Sequence, residues 1–368
     1  MMRKMSISGN QLFWLIFTMQ TGMCLLLSIT PVIRHAMQDA WISVILAGIV
    51  SLLVTWMSVK LCMRYPKMTL IEFSRSILGK WLGSIIIIPY LIKWYSIIGA
   101  ILRQCSDFLH LMLFDRTPFW VLIIMTIALL VYVTITRGIE SIARCAEVIG
   151  PLLIMTVIIV FLLSLKYMDW HKILPILVDN KPSDIWKGSL PPMSFFAEST
   201  ILTMLIPFMS KPKAAMSKAM RGSLVAFMLI WLITIAVVIS FDQLAVGMRY
   251  PFFVMTGFIS TMEFIQNVDA YVVIIWFFSV FIKLALYVFA ASYGTAQWLG
   301  MKNWKNVIWF VVIVGFVVSV SFKNVDQSSI DYPSMYRIPL DFPITAFAIP
   351  LLLLVVSFFR KKTAKEGG

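Results

Sequence analysis

Charge is scarce in this sequence. Asp, Glu, Lys and Arg make up 13% of 368 residues against 60% hydrophobic ones, with a mean hydropathy of +0.91. That shortage excludes a water-soluble globule, which needs more polar surface to coat its exterior. Cysteine is scarce as well: Cys24, Cys62, Cys105 and Cys145 lie apart, in or beside apolar runs, with no CxxC and no Cys/His spacing. Neither a disulfide framework nor a zinc site is expected. His35, His110 and His171 are equally scattered, and the sequence has no phosphate-cradling glycine loop, no HExxH and no GxSxG. An enzyme reading is therefore left without a nucleophile, base or metal constellation, and no catalytic residue, metal or cofactor is expected.

What is present is a succession of apolar runs, so lipid is the solvent and the unit to count is a span of about 20 apolar residues. Candidate transmembrane helices fall near 11–33, 40–62, 83–103, 117–136, 141–165, 185–208, 222–240, 271–298, 304–322 and 343–359. The sequence thus predicts an all-α polytopic membrane protein of about ten spans. The first run follows MMRKMSISGN without a small-residue cleavage site and is read as a retained helix. Lys and Arg on alternate sides number 19 and 10, with Lys93 and Lys283 left inside spans. The positive-inside rule then puts both termini in the cytoplasm. It also accounts for the net charge of +14 without a nucleic-acid partner. Long polar loops are expected near 166–184, 241–270 and 323–342, with 251–266 read as an amphipathic helix in the interface and an eleventh or re-entrant span as the alternative. A basic tail occupies 360–368.

Two spans carry helix-disrupting residues. The first has Thr18, Gln20, Thr21 and Gly22 in its middle; the sixth has Ser189, Pro191, Pro192 and Ser194, with Glu198 a turn later. Proline removes a backbone donor and glycine tolerates unwinding, so both are expected to break at mid-membrane and free backbone groups for a polar ligand. Breaks in spans one and six match the LeuT-like five-plus-five inverted repeat of amino-acid transporters, with 11–165 and 185–359 as the two repeats. Proline kinks and packing glycines are the plainer explanation.

Intramembrane charges favour the ligand reading. Glu198, Lys93 and Lys283 lie midway along their spans, where each costs at least about 2.5 kcal/mol if it faces lipid. Lys283 shares a helical face with Ser279 and Tyr287, and Pro89, Lys93, Ser96, Ala100 and Arg103 make a second polar stripe. Glu198 and Lys283 form a candidate charge pair. A buried ion pair that only fixes helix packing is the competing explanation. Glu140, Arg144 and Glu147, at i, i+4 and i+7, are expected to form intrahelical ion pairs. Gly79 and Gly83 satisfy GxxxG, but Lys80 and Trp81 place that motif at the interface.

Several stretches in order carry a family resemblance: Asp39 to Ser43; Tyr65-Pro66 followed by Leu78 to Gly83; Arg116-Thr117-Pro118; Gly138-Ile139-Glu140 with Arg144; Phe195 to Glu198; Ile206-Pro207-Phe208; and Lys283 with Tyr287. Along nearly the whole length the chain resembles the B subunits of GerA-type nutrient germinant receptors of bacterial spores, in the amino-acid/polyamine/organocation transporter superfamily. The resemblance implies a ligand-sensing subunit in the spore inner membrane that acts with A-type and C-type subunits and triggers germination. It implies a small nutrient ligand, most often an amino acid, and nominates Gln20, Thr21, Gly22, Tyr95, Phe195, Ala197, Glu198, Lys283 and Tyr287 as its site. Relatives often carry a glycine-rich break in helix one, whereas here a single Gly22 follows Gln20 and Thr21, so ligand identity does not transfer. The alternative function is an amino-acid permease or proton-coupled symporter.

Overall fold

A computed structural model describes residues 5–260 and 268–359 of the chain. Among them the structure is helical, with only an isolated bridge between Ile7 and Met209 in strand geometry. The helices are α1 Gly9–Leu27, α2 Ile29–Ala36, α3 Ala40–Arg64, α4 Leu70–Leu78, α5 Lys80–Ile85, α6 Ile88–Met112, α7 Phe119–Arg137 and α8 Ile139–Ser164. There follow α9 Pro182–Phe196, α10 Leu202–Leu205, α11 Ala215–Phe241, α12 Pro251–Ser260, α13 Val268–Leu299, α14 Lys305–Ser321 and α15 Ile349–Phe359. Among the described residues, eight helical stretches are long and apolar enough to cross a membrane, and α14 is a shorter apolar helix of 17 residues. The protein is an integral membrane protein.

Local chemistry sets the boundaries. Ser8 opens α1 with a capping box, its hydroxyl accepting from Gln11 N–H while the Gln11 side chain accepts from Ser8 N–H. Thr69 and Glu72 do the same for α4. Gly138, with φ of +57°, separates α7 from α8 in a conformation that costs a side chain but not glycine.

Burial sorts the helices into a centre and a rim. Every residue from Leu15 to Leu27 in α1 and from Ser279 to Ser292 in α13 is buried, so both helices are enclosed by protein on all sides. By contrast α7 and α8 leave apolar side chains such as Met125, Leu129, Met155 and Ile159 exposed, which is tolerable only against lipid. Helix α1 packs against α11, α8 and α13, and α3 packs against α11 and α9. Glycine lets these contacts close: a Cβ on Gly222 of α11 would stand 2.7 Å from the backbone oxygen of Phe13 in α1. Backbone cannot yield as a side-chain tip can. Gly222→Leu is therefore expected to destabilise the protein by about 1–3 kcal/mol, read as a lowered melting temperature of the purified protein.

Three expectations are corrected by the fold. Span one is not broken at Gln20 to Gly22; α1 runs through to Leu27, and the discontinuity falls at Ser28. The cause is Pro31, which has no N–H for Leu27 O and whose ring clashes with that carbonyl. The segment 323–342 is not a polar loop. Residues 327–348 are wound mostly as π-helix and continue into α15. Glu140, Arg144 and Glu147 form no ion-pair ladder among the described residues. Glu140 instead accepts from Ser6 N–H (2.8 Å) and Glu147 from the Gln11 side chain (3.1 Å), tying the N-terminal segment to α8. The interfacial segment 251–266 is helical as α12 through Ser260, with Phe252, Phe253 and Met255 buried; its remainder, and the basic tail, lie outside the described residues.

Candidate ligand site

The interruption of span six does form, but not at its prolines. Pro191 and Pro192 stay within α9, and the α-helix ends at Phe196; Ala197–Ile201 is a 3₁₀ turn before the short α10. Two long side chains from other helices account for the position. Gln20 of α1 donates to Phe196 O (2.7 Å) and Arg337 of the π-helical stretch donates to Ser194 O (3.0 Å). These are the carbonyls that an unbroken α-helix would offer to Thr200 and Glu198 N–H. Backbone and side chains thus exchange partners at the point where the helix opens.

Glu198 sits at that opening and is fully buried. Its Oε1 accepts from Arg337, and its Oε2 accepts from the Tyr287 hydroxyl (2.9 Å) and lies 2.8 Å from Lys283 Nζ. Lys283 and Tyr287 share one face of α13 because they are four residues apart. The expected Glu198–Lys283 pair is present, extended by an arginine whose sequence context predicts a loop. A second ion pair lies beside it: Lys93 of α6 donates to Thr345 Oγ1 (2.8 Å) and stands 3.6 Å from Asp341, both in the π-helical stretch. Higher on the same stripe of α6, Ser96 receives the Tyr332 hydroxyl at 3.0 Å. The polar stripe on α6 therefore faces the last helical segment.

Most of the nominated residues converge. Phe195 lays its ring over both cations, with the centroid 4.0 Å from Arg337 Cζ and 5.2 Å from Lys283 Nζ, a favourable cation–π arrangement. Ala197 is buried beside Glu198 at the start of the 3₁₀ turn. Gly22 meets α13: its carbonyl accepts from the Trp276 ring N–H (2.8 Å), and a Cβ there would stand 2.5 Å from Ser279 Oγ. Thr21 is turned onto its own helix, donating to Phe17 O. Tyr95 is not brought to this cluster; its hydroxyl meets Thr295, two turns beyond Tyr287 on α13, and its ring packs on Phe310 of α14.

Arg337 and Asp341 escape sequence reasoning because Pro333, Pro339 and Pro343, with Asp and Ser between them, read as loop chemistry. Their four-residue spacing, repeated at Thr345, is the one signal of a common helical face.

The sequence profile of the family described as "Spore germination protein" matches residues 6–328 of this chain. The chain belongs to that family. Spore germination protein YndE of Bacillus subtilis (strain 168) is 29% identical over 330 residues, covering 89% of each chain. Spore germination protein KB of the same strain is 25% identical over 379 residues, covering 100% of this chain and 98% of the relative. Among solved structures, this family member resembles MHP1, a nucleobase-cation-symport-1 family transporter in a closed conformation with bromovinylhydantoin bound, at a TM-score of 0.68. The identity is 13%, with 97% of this chain and 93% of that one covered. A Na+-coupled sialic acid symporter in a substrate-bound outward-open state gives a TM-score of 0.66 at 12% identity, covering 94% and 79%. At such identities the likeness is one of fold: the germination protein has the fold of these transporters. Both neighbours are transporters rather than enzymes.

Proposed function

We propose that this chain is the ligand-sensing membrane subunit of a spore germinant receptor. It binds a small nutrient, an amino acid above all, in the spore inner membrane, and with A-type and C-type subunits triggers germination. In this reading ten spans form two inverted five-helix repeats, 11–165 and 185–359, with both termini cytoplasmic. With Arg103 and Arg337 both buried, the opposite side keeps 8 basic residues against 19, which supports that orientation. The single observation that carries the proposal is Glu198, held at the opening of span six by Arg337, Lys283 and Tyr287 from two other helices. A ligand that competes for any of those partners changes how the helices close, which is what a sensor requires: different affinities for two conformations. The site consists of Gln20, Gly22, Phe195, Ala197, Glu198, Lys283 and Tyr287, joined by Arg337, with Thr21 and Tyr95 in supporting positions.

Spores carrying Glu198→Gln, which keeps the shape and removes the charge, are expected to need at least about tenfold more nutrient, the equivalent of about 1.4 kcal/mol of binding. Membrane levels of the protein, measured in parallel by immunoblot, should be retained. Unchanged doses with normal levels would sink the proposal.

The fold of the transporter neighbours favours a second reading, an amino-acid permease or proton-coupled symporter. Gradient-driven uptake of labelled amino acid by this chain alone in proteoliposomes would support it over the sensor.

A further inference from the structure

Among the described residues, the charges in the buried cluster do not balance. Lys93, Lys283 and Arg337 supply three cations, while Glu198 and Asp341 supply two carboxylates. The other acidic groups nearby are committed elsewhere: Asp39 accepts from Leu177 N–H and Asn180, and Asp107 from Arg103. A surplus charge enclosed by protein and lipid is costly, so a partner of opposite sign is favoured there.

Unfilled hydrogen-bonding positions coincide with the surplus. Among the described residues, Lys283 Nζ has only Glu198 Oε2 within reach (2.8 Å) for its three N–H groups, and Arg337 Nε and Gln20 Oε1 have no partner; all three atoms are buried. Both cations are instead covered by the face of Phe195, whose negative quadrupole eases a positive charge without neutralising it. A surface cleft is also lined by cations, although Arg249 there is paired with Asp326 (2.7 Å). It encloses about 290 Å³ between Leu27, Thr30, Arg34, Arg249, Asp326 and Ser329, two cations to one carboxylate. Ser329 belongs to the helical stretch that carries Arg337.

We propose that the cluster is a seat for one monovalent anionic group, received by Lys283 and Arg337 in the place now covered by the Phe195 ring. A carboxylate on the nutrient or a chloride ion supplies it. Where the group is part of a larger ligand, Gln20 Oε1 is left to accept a hydrogen bond from that ligand's N–H or ammonium group. The inference rests on the ligand-sensing reading and assigns the ligand's charge.

The test is thermal unfolding of the purified full-length protein in nanodiscs of zwitterionic lipid. The probes are sodium chloride, sodium acetate, glycine and uncharged acetamide, at ionic strength fixed with sodium methanesulfonate. Wild-type protein should show a saturable rise in melting temperature with acetate and glycine, or with chloride, and none with acetamide. Response to the carboxylates alone assigns the site to a ligand carboxylate, and response to chloride alone assigns it to the inorganic ion. Lys283→Met removes the surplus cation and should fold with its melting temperature insensitive to every anion. Equal anion responses in wild type and Lys283→Met would overturn the proposal. Equilibrium binding of radiolabelled chloride and acetate to the wild-type protein tests the seat without any variant: no binding above background to either overturns it as well. Glucose and inosine in the same melting assay separate the two claims. Stabilisation by an uncharged nutrient without any anion effect leaves the sensor reading intact and removes only the anion seat.

Discussion

Glu198→Ala is expected to destabilise the protein by about 3–5 kcal/mol, the range for removing one partner of a buried ion pair. Unbalanced charge and vacant bonds act together. Without Glu198 the cluster holds three cations against the single carboxylate of Asp341. Arg337 and Tyr287 each lose the acceptor they share with it, and both are enclosed where water does not replace it. Melting of the purified variant beside wild type measures the loss. A Glu198→Gln variant isolates the charge, since its amide oxygen still accepts from Arg337 or Tyr287, and it should recover part of the stability. Equal losses for Ala and Gln would mean that the hydrogen bonds contribute nothing.

Arg337→Ala is expected to be the second most damaging change, with a smaller loss than Glu198→Ala. Its removal leaves Lys93 and Lys283 balanced by Glu198 and Asp341, so no surplus charge remains. What is lost is the charge-assisted bond to Glu198, about 1.5–3 kcal/mol for a hydrogen bond to a charged group, while the lost bond to Ser194 O is offset by a backbone donor. Because Ser194 O is then free to accept from Glu198 N–H, the 3₁₀ turn at Ala197–Ile201 should relax toward α-helix. Hydrogen exchange at residues 197–201 reads this directly: added protection of the Glu198 amide is the expected result, and an unchanged pattern with unchanged melting would refute the assigned role. Arg337→Lys should not restore wild type, because one ammonium cannot present the planar fork that reaches both acceptors.

Much of the architecture was legible because membrane helices announce themselves. Every one of the ten predicted runs is helical in whole or part, since a backbone in lipid must satisfy its hydrogen bonds within the segment. The alignment of Ser279, Lys283 and Tyr287 followed from spacing alone. The pairing of Glu198 with Lys283 was one candidate among the intramembrane charges, and the structure supplies it at 2.8 Å. Proline misled twice in opposite directions. Pro191 and Pro192 marked a break that lies about five residues later, whereas Pro31 caused a break that the sequence suggested at Gly22. The span-one opening is set locally by Pro31, whereas the span-six opening depends on which carbonyls find other donors, and Gln20 and Arg337 are donors from distant parts of the chain.

Composition and order alone place this protein in lipid as a bundle of many apolar helices and hold Glu198, Lys93 and Lys283 inside rather than against lipid. Those properties depend on the cost of apolar surface in water and of charge in hydrocarbon, which composition and order contain. That Arg337 and Asp341 belong to the interior emerges from packing and not from local pattern. A stretch of prolines and aspartates reads as loop when it is considered alone, and becomes a buried helix only when Glu198 and Lys93, from other helices, supply the opposite charges. That exchange of partners is a property of neighbours in space, and no local pattern encodes it.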